Sequence, residues 1–122
     1  MNQKNNNYNE PPILKKNVDE RYFLETFVDD GFFVLTFKNE KNNTQILHKD
    51  VRSDYIQFHF CIKGLSKFVF NEGTYMLNIL EENSLLLYNP QKDLPINLEI
   101  NPNSWVVSVI ISIKKFHALF SQ

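Results

Sequence analysis

The chain has a single cysteine, Cys61, among its 122 residues. An intrachain disulfide and any thiolate-rich zinc site are therefore excluded, and the lone thiol fits a reducing cytoplasm. Long apolar runs are missing too: none approaches the ~20 residues that a membrane-spanning helix needs, and the polar, Asn-rich start has no signal-peptide character. Charge of one sign is not in excess. Thirteen Lys and Arg against 14 Asp and Glu leave a formal net charge of −1, so no global field draws nucleic acid to these residues. Glycine is scarce, and there is no glycine-rich phosphate loop, no paired metal-type His spacing and no Ser or Cys nucleophile in a local motif. The expectation is a soluble, cytoplasmic protein with no catalytic residue, no metal, no cofactor and no membrane partner.

Aromatic residues are abundant, with eleven Phe, five Tyr and one Trp, the composition of a β-domain core. The length suits one domain that buries roughly two thirds of its unfolded surface. Residues 1–17 are polar, and Pro11-Pro12 forbids a helix across them; they read as a flexible N-terminal arm ahead of a domain over 18–122. Tyr22 to Val28 fits neither period well and reads as a short strand or irregular entry. Gly31 to Lys38 alternates Phe33, Leu35 and Phe37 with Phe32, Val34 and Thr36, and with Thr44 to His48 it predicts a hairpin.

Tyr55 to Leu80 carries the strongest pattern. In Tyr55 to Lys63 an apolar row, Ile56, Phe58, Phe60 and Ile62, opposes Tyr55, Gln57, His59, Cys61 and Lys63. Gly64 allows a reversal into Ser66 to Phe70, and Asn71 to Gly73 allows a second. Ser84 to Tyr88 is a further apolar strand; Ile96, Leu98 and Ile100 alternate with polar residues; Ser104 to Ile111 is the last strand, with Trp105 in its heavier row. From Ser112 the period changes to that of a short amphipathic helix, with Ser112 as N-cap. Seven to nine strands and a terminal helix point to an antiparallel barrel or two-sheet jelly roll.

Among the polar residues, His59 and Cys61 offer two same-face ligands, short of the three or four that zinc takes. The alternative is a satisfied histidine beside a cysteine acting as a small hydrophobe. His48 sits in a hairpin strand that ends in charge, and His117, on the final helix, reads as structural and partly exposed. Trp105, Tyr75 and Tyr88 are candidates for a cavity wall or for core.

The Tyr55–Phe70 stretch with its Lys63-Gly64-Leu65 turn resembles the central hairpin of cupin domains. SLLLYNPQKDLPINL, Ser84 to Leu98, is similar to the cupin strand and proline turn that follow. SWVVSVIISIKKFHALF, Ser104 to Phe120, resembles the closing strand and helix of AraC-type transcriptional regulators. The resemblance implies an all-β, antiparallel cupin-like barrel or jelly roll with a polar N-terminal arm and a short C-terminal helix. It also implies the N-terminal sensing domain of such a regulator, which binds a small-molecule effector, forms a homodimer and reaches DNA only through a C-terminal half absent here. Metal-dependent cupins carry His-x-His, Glu and a later His, where this chain has Asp50 and Arg52, Gln57, and Leu94 or Pro95. That set would hold no divalent ion.

In the resemblance, the row that ends at the residue before the glycine faces into the barrel. Gln57 and His59 then become polar anchors for a ligand, with Trp105 in the cavity wall. The outward apolar row would need cover from the terminal helix, through Phe116 and Phe120, or from a partner subunit. Other readings are a stand-alone cupin-like enzyme or small-molecule carrier, and a dimerisation module with a filled barrel.

Overall fold

The computed structural model describes residues 23–121, so the arm expected at 1–17 lies outside the described residues. Among the described residues nine strands precede one α-helix: β1 (Phe23–Asp29), β2 (Phe32–Asn39), β3 (Gln45–Lys49), β4 (Tyr55–Lys63), β5 (Leu65–Phe70), β6 (Tyr75–Leu80), β7 (Ser84–Leu87), β8 (Ile96–Ile100), β9 (Ser104–Ser112) and α1 (Ile113–Phe120). They form two antiparallel sheets, a five-stranded one in the order β1-β2-β9-β4-β7 and a four-stranded one in the order β3-β8-β5-β6. The fold is all-β, a two-sheet jelly roll closed by a short helix. No helix among the described residues is long and apolar enough to cross a membrane.

The period-two rows become the two faces of each sheet. Phe33, Leu35 and Phe37 of β2, Val106 and Ile110 of β9, Leu47 of β3, Phe68 of β5 and Ile96, Leu98 and Ile100 of β8 are all buried between the sheets. β1 follows the same logic, with Phe23, Glu25 and Phe27 opposite Phe37, Leu35 and Phe33. Its charged inward residue is what hid the strand pattern. Ser112 caps α1 as its position suggests, its hydroxyl accepting from the Lys115 N–H at 3.0 Å.

Two expected hairpins are crossovers instead. β3 pairs with β8 and not with β2, and β4 pairs with β7 and β9 and not with β5. Sequence neighbours separate because both inner faces must be dry, and the chain meets that demand by passing from sheet to sheet. Gly64 makes one such passage at φ +81; a Cβ there would stand 2.2 Å from Ser104 Oγ and 2.9 Å from Ser104 Cα. The Ser104 hydroxyl that fills this space accepts from Leu65 N–H at 2.9 Å. β5 and β6 do form a hairpin, through Asn71 and Glu72 at positive φ and Gly73.

The edges of the two sheets meet at two seams. At one, Lys49 of β3, with no exposed surface, donates through Nζ to Glu25 Oε1 of β1 at 2.8 Å. The facing carboxylate offsets the cost of burying that ammonium. Glu25→Ala is expected to cost about 3 kcal/mol in urea unfolding, the scale for breaking a buried pair. The double variant Glu25→Leu, Lys49→Met should recover most of that loss. Equal and additive losses would show that the pair does not clamp the seam.

Candidate functional site

Inside the sandwich, β4 directs Gln57, His59 and Cys61 inward, and all three are buried. His59 lies opposite Ser108 of β9 and opposite Leu85 of β7. Its Nδ1 is 2.6 Å from Ser108 Oγ and its Nε2 is 2.9 Å from Gln57 Oε1. Gln57 Nε2 in turn donates to the Leu94 carbonyl at 2.7 Å, in the loop before β8. These contacts assign the tautomer of His59. The Gln57 amide nitrogen faces a carbonyl, so its oxygen faces His59; Nε2 therefore carries the imidazole proton, and Nδ1 accepts from the Ser108 hydroxyl. The ring also meets Phe68 of the other sheet edge-on, with centroids 4.4 Å apart.

Burial holds this imidazole neutral, its pKa pushed down from 6.5 to about 3. At neutral pH it neither stores a proton nor pairs with an anion. It is an oriented dipole. Burial also raises the Cys61 thiol, and the sulfur points at the carbonyls of Lys63 and Gly64, at 3.3 and 3.4 Å. His59 and Cys61 thus spend their polar atoms on different partners and share no centre.

The structure brings Gln57 and His59 together and leaves Trp105 elsewhere. Ser104, Val106 and Ser108 are the buried row of β9, so Trp105 belongs to the outer face, where Lys38 Nζ sits 4.8 Å from the ring centroid. The expectation of Trp105 as a cavity wall beside Gln57 is corrected on this point: alternation along β9 from buried Ser104, Val106 and Ser108 turns Trp105 outward. Lys63 is likewise not in the inward row. A register shift between Cys61 and Lys63 turns it out, and it is exposed.

At the positions where metal-dependent cupins place ligands, Asp50 and Arg52 turn outward, with side chains 77% and 71% exposed. Leu94 contributes a carbonyl already used by Gln57. An amide, a guanidinium and a backbone oxygen do not make a divalent-metal site, and among the described residues no three of His, Cys, Asp and Glu gather as one. Two features escaped sequence reasoning. His48, on the outer face of the four-stranded sheet, contacts Asn97 Oδ1 at 2.5 Å through Nδ1 and Asp50 Oδ1 at 3.1 Å through Nε2. The second feature is a groove of about 360 Å³ at the other seam, between β6 and β7, lined by Leu77, Asn78, Ile79, Glu82, Asn83, Ser84 and Leu85. Both depend on cross-strand register, which no local pattern reports.

No protein-family model matches the sequence, and no curated protein matches it. Solved structures do. The chain is similar to an RmlC-like cupin protein from Desulfovibrio desulfuricans, at 16% identity and a TM-score of 0.55 over 76% of this chain and 85% of that one. It is similar to the cupin domain of Schizosaccharomyces pombe Cnp3, at 6% identity and 0.54 over 80% and 64%. A cupin protein from Bacteroides fragilis matches at 8% identity and 0.53 over 81% and 83%. At these identities the likeness is one of fold, and it makes this a cupin-like domain.

His59 gives the domain a defined acid sensitivity. Its native pKa lies below the unfolded value near 6.5, so between pH 6.5 and 3 the unfolded chain binds a proton that the native one refuses. Its stabilising contribution is complete above 6.5 and is lost as pH falls. Wild-type stability should drop by about 2 kcal/mol more between pH 7.5 and 5 than that of His59→Gln. The other two histidines remain in both proteins, so urea titrations at the two pH values isolate the difference. Equal slopes would mean that His59 titrates freely in the native state.

Proposed function

We propose that this chain is the regulatory half of an AraC-like transcriptional regulator: a cupin-like domain that senses a small effector and dimerises, performs no catalysis, and does not itself bind DNA. One observation carries the reading. The groove between β6 and β7 is lined in part by Leu85, which lies directly opposite His59 in the β4–β7 pairing. A buried, neutral imidazole therefore stands beside a residue that faces an opening to solvent, with the Gln57 amide hydrogen-bonded behind it. Such a pair can recognise a ligand by direction of hydrogen bonding, and with a proton affinity this low it is a poor general base.

An effector that displaced Leu85 would reach His59 and Gln57 at the cost of the Gln57–Leu94 bond. Exchange of one hydrogen bond for another links occupancy to the loop before β8. The likeness of Ser104–Phe120 to the closing strand and helix of AraC-type regulators supports the regulatory setting, and the balanced charge supports the absence of DNA contact by this half.

The test is a thermal-shift screen of small polar molecules, with mass spectrometry of the ligand afterwards. A stabilising ligand at 100 times its Kd adds about 2.7 kcal/mol. It should lose that effect in the Gln57→Leu, His59→Leu variant, and it should be recovered unchanged. Consumption of the ligand would support a stand-alone enzyme. Sequence-specific retardation of duplex DNA by this chain alone would contradict the assignment of DNA binding to another half.

A further inference from the structure

β6 and β7 are each the last strand of their sheet, β6 paired with β5 and β7 with β4, and the groove of about 360 Å³ runs between them. Its floor is apolar, with Leu77 and Ile79 from β6 and Leu85 from β7. Its rim is the turn that joins the two strands, which brings Glu82 and Asn83 to the opening, followed by Ser84. The backbone of that turn is pinned to β4: Cys61 N–H donates to the Asn83 carbonyl at 3.0 Å, and Glu82 N–H donates to the Cys61 carbonyl at 2.8 Å. The rim is thus held by main-chain bonds and not by its side chains.

Charge and buried polarity narrow what fits there. Glu82 is the one ionised side chain among the lining residues, and among the described residues no Lys, Arg or His forms an ion pair with it. Lys67, opposite Asn78 in the β5–β6 pairing, alternates with buried Ser66 and Phe68 and so faces the outer surface beside Glu99. A cleft with apolar walls and charge of one sign concentrates ions of the other. The floor, in turn, is backed by a polar side chain on each sheet: Leu85 stands opposite His59, and Ile79 stands opposite Ser66. His59 has both nitrogens committed, to Ser108 and to Gln57. Ser66 has no exposed surface and its Oγ has no hydrogen-bond partner. A buried hydroxyl left unpaired carries a desolvation cost that a ligand atom can return.

We propose that the groove binds a small organic cation, with an ammonium at Glu82, an apolar body on Leu77, Ile79 and Leu85, and a hydroxyl or carbonyl at the far end that reaches past Ile79 to Ser66. The inference rests on the effector-sensing reading and names the effector's chemical class. An anion meets only a carboxylate at the rim, and a wholly apolar molecule leaves Ser66 unpaired.

Tyramine carries all three features and serves as the probe. Phenethylamine lacks the hydroxyl, and para-hydroxyphenylpropionate exchanges the ammonium for a carboxylate. A nuclear magnetic resonance titration of the full chain should give tyramine a Kd on the order of 1 mM or tighter, the range for a ligand of this size, with shifts at the amides of Ile79 and of Glu82 to Leu85. The propionate should produce none there. Glu82→Gln should weaken tyramine by about tenfold. Ser66→Ala should weaken tyramine by about threefold or more, leave phenethylamine unchanged and not lower stability, because the hydroxyl it removes has no partner. No shift at about ten times the expected Kd, propionate binding equal to that of tyramine, or tyramine binding indifferent to both variants would each overturn the inference. A neutral or anionic effector that depends on Gln57 and His59 but not on Glu82 would overturn it while leaving the effector reading intact. Tyramine binding that depends on Glu82 and Ser66 but not on Gln57 and His59 would uphold it and remove those two residues as anchors.

Discussion

The structure depends on one constraint: the amide of Gln57 and the imidazole of His59, sealed between the two sheets, must find hydrogen-bond partners there. Ser108, His59, Gln57 and the Leu94 carbonyl do so in a single directed chain, each donor facing one acceptor. The chain ties β9 to β4 and β4 to the loop that leads into β8, so it joins both sheets. A buried polar group left without its partner costs about 1–3 kcal/mol, and loss of any link here exposes the next. The same requirement governs the Lys49–Glu25 pair at the opposite side of the sandwich. The interior is held by apolar packing, with its geometry set by these few polar contacts.

That constraint also explains what the cupin-like frame has become in this chain. The inward position on β4 that would carry a carboxylate ligand carries Gln57, and the residue near the proline turn donates only its backbone oxygen. Positions that could gather a charge gather a neutral hydrogen-bond chain. The neighbouring histidine is kept neutral by burial, which preserves the chain's direction through the physiological range. Such an arrangement orients its hydrogen bonds while offering no ready proton acceptor.

Much of this was legible in the sequence, and the failures have physical causes. Local patterns of hydrophobicity located eight of the nine strands and, through the change of period, the capping serine at 112, because a strand's or helix's period is a local property; which row of β4 faces inward came from the resemblance to cupin hairpins, since alternation alone does not say. β1 was obscured by Glu25, whose inward position makes sense only with Lys49 in view. The two expected hairpins failed because proximity in sequence suggests pairing, whereas here β2 to β3 and β4 to β5 each pass from one sheet to the other. Trp105 was misplaced because its size suggested an inner wall; which row of β9 faces in is set by its register with β4, where Ser108 lies opposite His59. Ser108 as the partner of His59, and Leu85 as the wall beside it, follow from register between strands 49 and 26 residues apart in sequence, which no window along the chain contains.

The central claim is that His59 is a neutral, Nε2-protonated imidazole locked between Ser108 and Gln57. Nuclear magnetic resonance of the imidazole nitrogens, followed from neutral pH down to the onset of acid unfolding, tests it most directly. One histidine of the three should show a protonated Nε2 and an unprotonated, hydrogen-bonded Nδ1 with shifts that stay constant while the native state persists. A titration of that ring near pH 6.5, or a proton on Nδ1, would contradict the account.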